Sequence, residues 1–203
     1  MSKLLYSTAA GDIAVNRQSL AAVPTPEPMG QFHKPIPFAE HVEVVEKSLD
    51  RHGLRIASEE FAVTKGQDSF FGVIEVEAKE GQLITADEWR MLIGLRGSHN
   101  QRIPAGMVVG SQVMVCSNLC FSGSVGNWST RQTTNAWDRM IPMIDDSVDR
   151  IHELADEQER RVVHYKEKSL SPRAGDALLM DMMRKDILSG SMAKRAQQEW
   201  DEP

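Results

Sequence analysis

Residues 89–121 read WRMLIGLRGSHNQRIPAGMVVGSQVMVCSNLCF, and the pattern of this stretch decides the fold. Its first part has the period of a half-buried β-strand, with one face formed by Trp89, Met91, Ile93 and Leu95. A polar turn follows over residues 97–100, and a second apolar run then continues to Cys120. The pattern predicts two strands that hold a functional loop at the edge of a core.

The segment from Phe38 to His52, upstream of this stretch, has the apolar spacing of an amphipathic helix. Pro37 suits the start of that helix, and Gly53 suits the left-handed residue just past its end. On this pattern the side chains of His41 and His52 are expected on the solvent side of the helix.

Two more strands are predicted between this helix and the opening stretch. Residues 54–64 alternate, but their phase slips between Ile56 and Phe61, which indicates a β-bulge. A turn cluster over 65–69 then leads into a strand over 70–79. The predicted fold class is therefore α+β, with an N-terminal helix followed by an antiparallel β-meander of three to five strands.

Helical patterns dominate the rest of the chain. From about Thr134 apolar residues recur at helical spacing, and Pro142 marks either the start of this long helix or a kink in it. Ser171-Pro172 is a helix-start signal, and the helix that it opens forms a C-terminal helical pair with the basic segment after it. The predicted organisation has three parts: a Pro-rich arm or linker over 1–37, an α+β core domain over 38–168, and a C-terminal helical segment over 169–203 that packs on the core.

The 203 residues carry a net charge of −6, and they include two cysteines. An acidic total argues against binding nucleic acid through overall charge, so any DNA binding needs a local basic patch. Two cysteines do not make a disulfide framework, which is typical of a reducing cytoplasm. Because no apolar run reaches the roughly 18 residues that suggest a membrane span, we expect a cytoplasmic protein without a membrane partner.

Two groups of residues have the composition of a metal site. Cys116 and Cys120, with His99 upstream, lack the further ligands that zinc requires, which favours two buried core thiols. A second group has the carboxylate–lysine order of Mg²⁺-dependent nucleases. Its members are Glu75, Glu77 and Lys79. The solvent face of an antiparallel strand is the favoured interpretation, because no proline-aspartate element precedes the strand at a familiar spacing.

Ser98 and His99 are not expected to act as nucleophile and base. Neighbouring residues on a strand or turn point apart, so a turn that hydrogen-bonds its own backbone is the better interpretation. We therefore expect no catalytic residue, no metal site and no cofactor, with the nuclease group as the open alternative.

Basic and polar residues around the 97–100 turn form the candidate binding site. Arginine and aromatic side chains together can hold a single strand by phosphate contact and base stacking, and three tryptophans lie nearby in sequence. The candidate DNA-binding residues are Arg90, Arg96, Ser98, His99, Asn100, Arg102 and Arg131.

Two segments of this region, LIGLRGSHN over 92–100 and VMVCSN over 113–118, resemble a family of phage- and plasmid-encoded proteins catalogued as domain of unknown function 932. Members show a strand, an Arg-x-Ser-His-Asp/Asn-Gly-like turn and an apolar strand that ends in a Val-Cys-x-Asn element. The resemblance covers residues 38–200 loosely.

Gln101 stands where members often have glycine, so the turn is expected to differ. Members commonly continue past the equivalent of Trp200, which implies a shortened form.

The order of helix, hairpin, third strand and long helix is also similar to the core of phage single-strand annealing proteins of the RecT and Redβ type. These form rings or filaments with DNA in a basic groove. The resemblance implies a mobile-element protein of DNA metabolism that binds or anneals single-stranded DNA as a homo-oligomer, without enzymatic activity. Two alternatives stay open: binding of a host or phage protein through an acidic helix over Asp145 to Lys168, and a Mg²⁺-dependent nuclease.

Overall fold

The computed structural model describes residues 12–80, 86, 89–113 and 127–201 of the chain. The strands in this part are β1 (Ile13–Val15), β2 (Leu54–Val63), β3 (Ser69–Ala78), β4 (Trp89–Ser98), β5 (Ala105–Val113) and β6 (Trp128–Thr130). The helices are α1 (Arg17–Ala21), α2 (Phe38–Arg51), α3 (Ala136–Asp149), α4 (Ile151–Lys166), α5 (Pro172–Arg184) and α6 (Gly190–Asp201).

The described strands form one six-stranded antiparallel sheet in the order of the sequence, from β1 to β6. The predicted α+β class, with a helix before a meander and helices after it, is confirmed. The two edge strands have only three residues each, and such short segments carry too little alternation to be recognised in a sequence.

Local signals in the first hairpin match the structure. The pairing of β2 with β3 shifts register between Ile56 and Ser58, where the phase slip predicted a bulge. Gly53 has a φ of 72° directly after α2, as expected of a residue that ends a helix in the left-handed region. These two features change the direction of the chain as it passes from α2 into the sheet.

One face of the sheet packs against α2. The rings of Phe38 and Phe70 lie 4.6 Å apart across this interface. The side chain of His41 is only 1% exposed and lies against the rings of Phe70 and Trp128, so the expectation that it faces solvent is wrong. The reason is that His41 lies three residues after Phe38, within the buried stripe of α2, so its position outweighs its polar residue type.

Pro142 was predicted to start or kink the long helix after the sheet, but the break between the helices lies elsewhere. Pro142 lies inside α3, and the chain leaves helical pairing only at Arg150, between α3 and α4. Ser171 caps α5 by accepting a hydrogen bond from the Ala174 amide, 3.3 Å away, which confirms the start signal. No helix in the described ranges has the length and apolarity to cross a bilayer.

The chain divides into two compact units, Met1–Gln158 and Glu159–Pro203. The first unit contains the sheet, α1, α2 and α3. The described part of the predicted N-terminal arm contains β1 and α1, and α1 buries the side chain of Leu20. The second unit contains α5 and α6, and it exposes several large apolar side chains: Val163, Tyr165, Leu170, Leu178, Met180, Ile187 and Met192.

Candidate functional site

The turn between β4 and β5 is closed by the hydroxyl of Ser98. This oxygen accepts a hydrogen bond from the Ile103 amide at 2.7 Å and donates one to the Ile103 carbonyl at 3.1 Å. The Ser98 amide also donates to the Ile103 carbonyl, and the Ser98 side chain is fully buried. A turn that bonds its own backbone was predicted here, and that prediction is confirmed.

Asn100 connects this turn to the one between β2 and β3. Its side-chain amide donates to the carboxylate of Asp68, and its carbonyl oxygen accepts from the Arg102 amide at 3.1 Å. Hydrogen bonds from Thr64, then from Ser69 and Asn100, lower the pKa of Asp68, because they stabilise its charged form. Both ends of the Asn100 side-chain amide are therefore hydrogen-bonded within the protein.

His99 is 3% exposed and supports the turn from below. Its ring stacks on Phe38 with the centroids 3.9 Å apart, and its Nε2 lies 3.0 Å from the carbonyl oxygen of Ile36. Burial lowers the pKa of His99, so the neutral ring that donates to Ile36 is favoured at pH 7. His99 was predicted as a site residue because it lies within the 97–100 turn. In the structure its side chain is buried in the core, next to that turn.

Gln132 ties three loops together. Its side-chain amide donates to the Ser98 carbonyl at 2.9 Å, and its side-chain oxygen accepts from the Ile36 amide at the same distance. The Gln132 carbonyl accepts from the Lys34 amide at 3.0 Å. These bonds fix the segment before α2 and the loop between β6 and α3 against the β4–β5 turn.

A cavity of about 670 Å³ lies where these loops meet, and we call it the loop cavity. Arg102 enters its wall from the β4–β5 turn, and Arg131 enters from the loop after β6. Both arginines are exposed, and neither forms an ion pair with an acidic residue in the described ranges. The wall also includes Phe32, His33 and Thr133.

Arg96 extends this basic surface along the sheet. It lies on β4 opposite Gly106 of β5, and Gly106 in turn lies opposite Ser129, which lines the loop cavity. A Cβ atom at Gly106 would come within 2.8 Å of the Trp128 carbonyl oxygen, so glycine here allows the backbone of β6 to approach β5 closely. Arg96 Nε lies 3.5 Å from the same position, at ordinary contact distance. We call Arg96, Arg102 and Arg131 the arginine edge.

Arg90 occupies a different environment from these three arginines. Its Nη1 lies 3.1 Å from Glu75 Oε2, and Ser58 also donates to that carboxylate at 2.8 Å. Arg90 lies at the start of β4, and the β4–β5 turn lies at the opposite end of that strand. Of the predicted site residues, the structure therefore groups Arg96, Arg102 and Arg131.

The residues of the nuclease alternative are each paired with a neighbouring element. Glu75 binds Arg90, Glu77 binds Arg55 at 2.6 Å, and Lys79 binds Asp50. Within the part of the chain that the structure describes, no cluster of three or more His, Cys, Asp or Glu side chains is arranged to hold a metal ion. Cys116 and Cys120 lie outside the described residues.

The predicted acidic helix, Asp145 to Lys168, covers the end of α3, the break at Arg150 and all of α4. Asp145, at its start, accepts hydrogen bonds from Arg51 and Ser48, both at 2.7 Å. These bonds lower the pKa of Asp145, with the Arg51 bond as the larger cause. This carboxylate joins α2 to α3.

Sequence reasoning missed two residues that line the loop cavity, Phe32 and Gln132, and one residue, Arg139, that holds a loop of its wall. Phe32 was assigned to the arm, and Gln132 has no local pattern that marks its long-range bonds. Arg139 of α3 bonds the loop after β6 at three points: the hydroxyls of Thr130 and Thr133 and the carbonyl of Arg131, at 3.1, 2.8 and 3.3 Å. One indication of the role of Arg139 was available in the sequence: it lies shortly after a segment that contains Thr130 and Thr133.

No protein-family model, no curated protein and no solved structure matches the chain. The family and topological resemblances given above therefore stay predictions, and any function has to be argued from the geometry.

Proposed function

We propose that this chain binds single-stranded DNA along the arginine edge, as a non-enzymatic oligomeric protein of the DNA metabolism of a mobile genetic element. The observation that carries the proposal is that Arg96, Arg102 and Arg131 are exposed and have no acidic partner in the described residues. Guanidinium groups in that state are free to meet phosphate oxygens.

The local charge differs from the overall charge of −6. Several acidic residues of the first unit are bound to basic partners away from the loop cavity: Glu46 and Glu59 to Arg17, Glu77 to Arg55, Glu75 to Arg90 and Asp50 to Lys79. Asp68, the carboxylate at the β2–β3 turn, is bound by Thr64, Ser69 and Asn100. The acidic total is thus compatible with a local surface that attracts phosphate.

The salt dependence of affinity tests this proposal. Fluorescence anisotropy of a labelled oligothymidine gives the association constant of the wild-type chain over a range of salt concentrations. Each phosphate contact that is lost should reduce the slope of log K against log salt by about 0.7. The Arg102→Gln and Arg131→Gln variants should each lose about that much.

Arg55→Gln is the matched control, because Arg55 is a strand arginine whose charge is bound by Glu77. It should leave both affinity and slope unchanged. If wild-type protein leaves the anisotropy unchanged at low salt, or if Arg55→Gln and Arg102→Gln reduce the slope equally, the proposal is wrong.

A protein partner is the second candidate, favoured by the apolar side chains that the second unit exposes. Tyr165 and Met180 are 65% and 51% exposed, and they belong to the group of exposed apolar side chains of the second unit. A partner from the host or the phage should then be retained by wild-type protein and lost when Tyr165 and Met180 are both replaced by serine. Retention that is unaffected by these replacements argues against this candidate.

A further inference from the structure

Phe32 is the most exposed large apolar side chain in the described residues, at 70%. It lies on a tight turn in which the His33 amide donates to the Gly30 carbonyl at 3.2 Å. His33 also braces this turn, since its Nδ1 accepts a hydrogen bond from the Met29 amide at 3.0 Å. Exposure of one phenylalanine is ordinary by itself, and what distinguishes Phe32 is the set of bonds that fixes the turn beneath it.

The backbone on either side of Phe32 is fixed to the loop after β6. The Phe32 carbonyl accepts from the Thr134 amide at 3.2 Å, and the Lys34 amide donates to the Gln132 carbonyl at 3.0 Å. The backbone that carries the ring is therefore fixed, while the ring itself is exposed. Aromatic rings presented in this way act as stacking platforms for nucleic-acid bases.

Phe32 lines the loop cavity together with Arg102 and Arg131. Two cations and one ring around a cavity of about 670 Å³ match the parts of a nucleotide unit, which has a charged phosphate and a flat base. A base inside a duplex is stacked and paired, so its face is not free to meet a ring. A base of a single strand is free to do so.

We propose that Phe32 stacks on one unstacked base of the bound strand while Arg102 and Arg131 contact the flanking phosphates. This inference rests on the proposed function, and it assigns the base contact to a residue in the segment before α2. It makes the site select single strands over duplexes. It also makes affinity depend on the bases as well as on the charge of the backbone.

Comparing two ligands of equal charge tests the stacking contact. One is an oligothymidine, and the other is an oligomer of the same length whose nucleotides are all abasic. Wild-type protein should bind the thymidine oligomer roughly five- to a hundredfold more tightly, the range that stacking of one base provides. Phe32→Ala should bind both equally, near the wild-type affinity for the abasic strand, with an unchanged salt slope.

Two further variants separate stacking from general apolarity. Phe32→Leu keeps a large apolar side chain without a ring, and it should behave like Phe32→Ala. Phe32→Trp should keep the preference for bases. Met29→Ala is the matched control, because Met29 is 57% exposed on the same turn and has no ring, so it should resemble wild type.

The outcomes distinguish the two proposals. If wild-type protein binds both strands equally and with a steep salt slope, the arginine edge binds phosphate and the stacking inference is wrong. If Phe32→Leu matches wild type, or if Phe32→Ala changes only the oligomer mass measured by light scattering, the ring serves another contact and the inference also fails. If wild-type protein binds neither strand, both proposals fail.

Discussion

The arginines of the sheet are used in two opposite ways. On β2 and β3 and their neighbours, basic side chains are bound to carboxylates, as in Arg17 with Glu59 and Arg55 with Glu77. Around the β4–β5 turn and the loop after β6, Arg102 and Arg131 have no acidic partner among the described residues. Residue type therefore does not reveal which arginines are available to a ligand, whereas the surrounding charges do.

The two regions also differ in what holds their loops in place. Ion pairs join the elements around β2 and β3, whereas the loops beside the arginine edge are held by hydrogen bonds with at least one neutral partner. These include the bonds of the Ser98 hydroxyl, the Gln132 amide and the uncharged His99 ring. Salt should therefore weaken mainly the first region, and mild acid, in which histidines but not carboxylates titrate, should weaken mainly the second.

Acid should produce the largest effect on stability. Burial lowers the pKa of His41 to about 4, whereas an unfolded histidine titrates near 6.5. Between these values the unfolded chain binds a proton that the folded chain does not, so stability is full above pH 6.5 and falls as the pH drops towards 4. The loss from His41 should be about 3 kcal/mol, measured by urea unfolding at several pH values.

The His41→Leu variant isolates this contribution. Neither ring nitrogen of His41 has a hydrogen-bond partner in the described part of the chain, so an apolar replacement loses no bond. The variant should therefore show a much flatter stability profile between pH 7 and 4.5. A profile parallel to that of wild type would contradict the assignment.

The next effect concerns the hydroxyl that closes the β4–β5 turn. Ser98→Ala should lower the free energy of unfolding by about 1–2 kcal/mol, because the Ile103 amide loses its bond to the hydroxyl. Ser129→Ala, at the exposed position of β6, should change it by less than about 0.5 kcal/mol. Equal losses in the two variants would show that the hydroxyl does not fix the turn.

Arg90→Gln should have a smaller effect, since it removes one partly exposed ion pair. The pair with Glu75 should contribute less than about 1 kcal/mol, and 1 M salt should reduce even that. DNA affinity should stay at the wild-type value. A loss of affinity as large as that in Arg102→Gln would remove the distinction between paired and unpaired arginines.

Gln101→Gly should have the smallest effect. Gln101 has a φ of 63°, in the left-handed region that favours glycine. Relief of that strain is offset in part by the greater freedom of glycine in the unfolded chain, so a gain of no more than about 1 kcal/mol is expected. Gln101→Val should instead destabilise the turn, and a stable valine variant would contradict this reading of the backbone.

Local patterns were enough to predict most of the fold. The alternation from Trp89 to Leu95, the phase slip after Ile56 and the cap at Ser171 each depend on residues close in sequence, and each corresponds to a described element or irregularity. The backbone at Gln101 was not predictable in the same way, because its φ of 63° lies in the left-handed region and its residue type does not indicate that conformation.

The candidate site was only partly predictable, because its parts come from distant segments. Arg102 and Arg131 were recognised as basic residues, but nothing local indicates that they share a cavity. Phe32 and Gln132 reach the site through bonds that join the segment before α2 to the loop after β6. The contact of His41 with the Trp128 ring is likewise long-range, although the helical spacing of α2 is enough to place His41 on the buried face.

The sequential order of the strands has a consequence for how the protein folds. From β2 to β5 each strand pairs with the next one along the chain, so most of the sheet can form by closing short loops. The bond between Ile36 and Gln132 spans 96 positions, and it cannot form until the loop after β6 has been synthesised. We therefore expect the sheet to assemble first during synthesis, and the loop cavity to close among the last parts of the first unit.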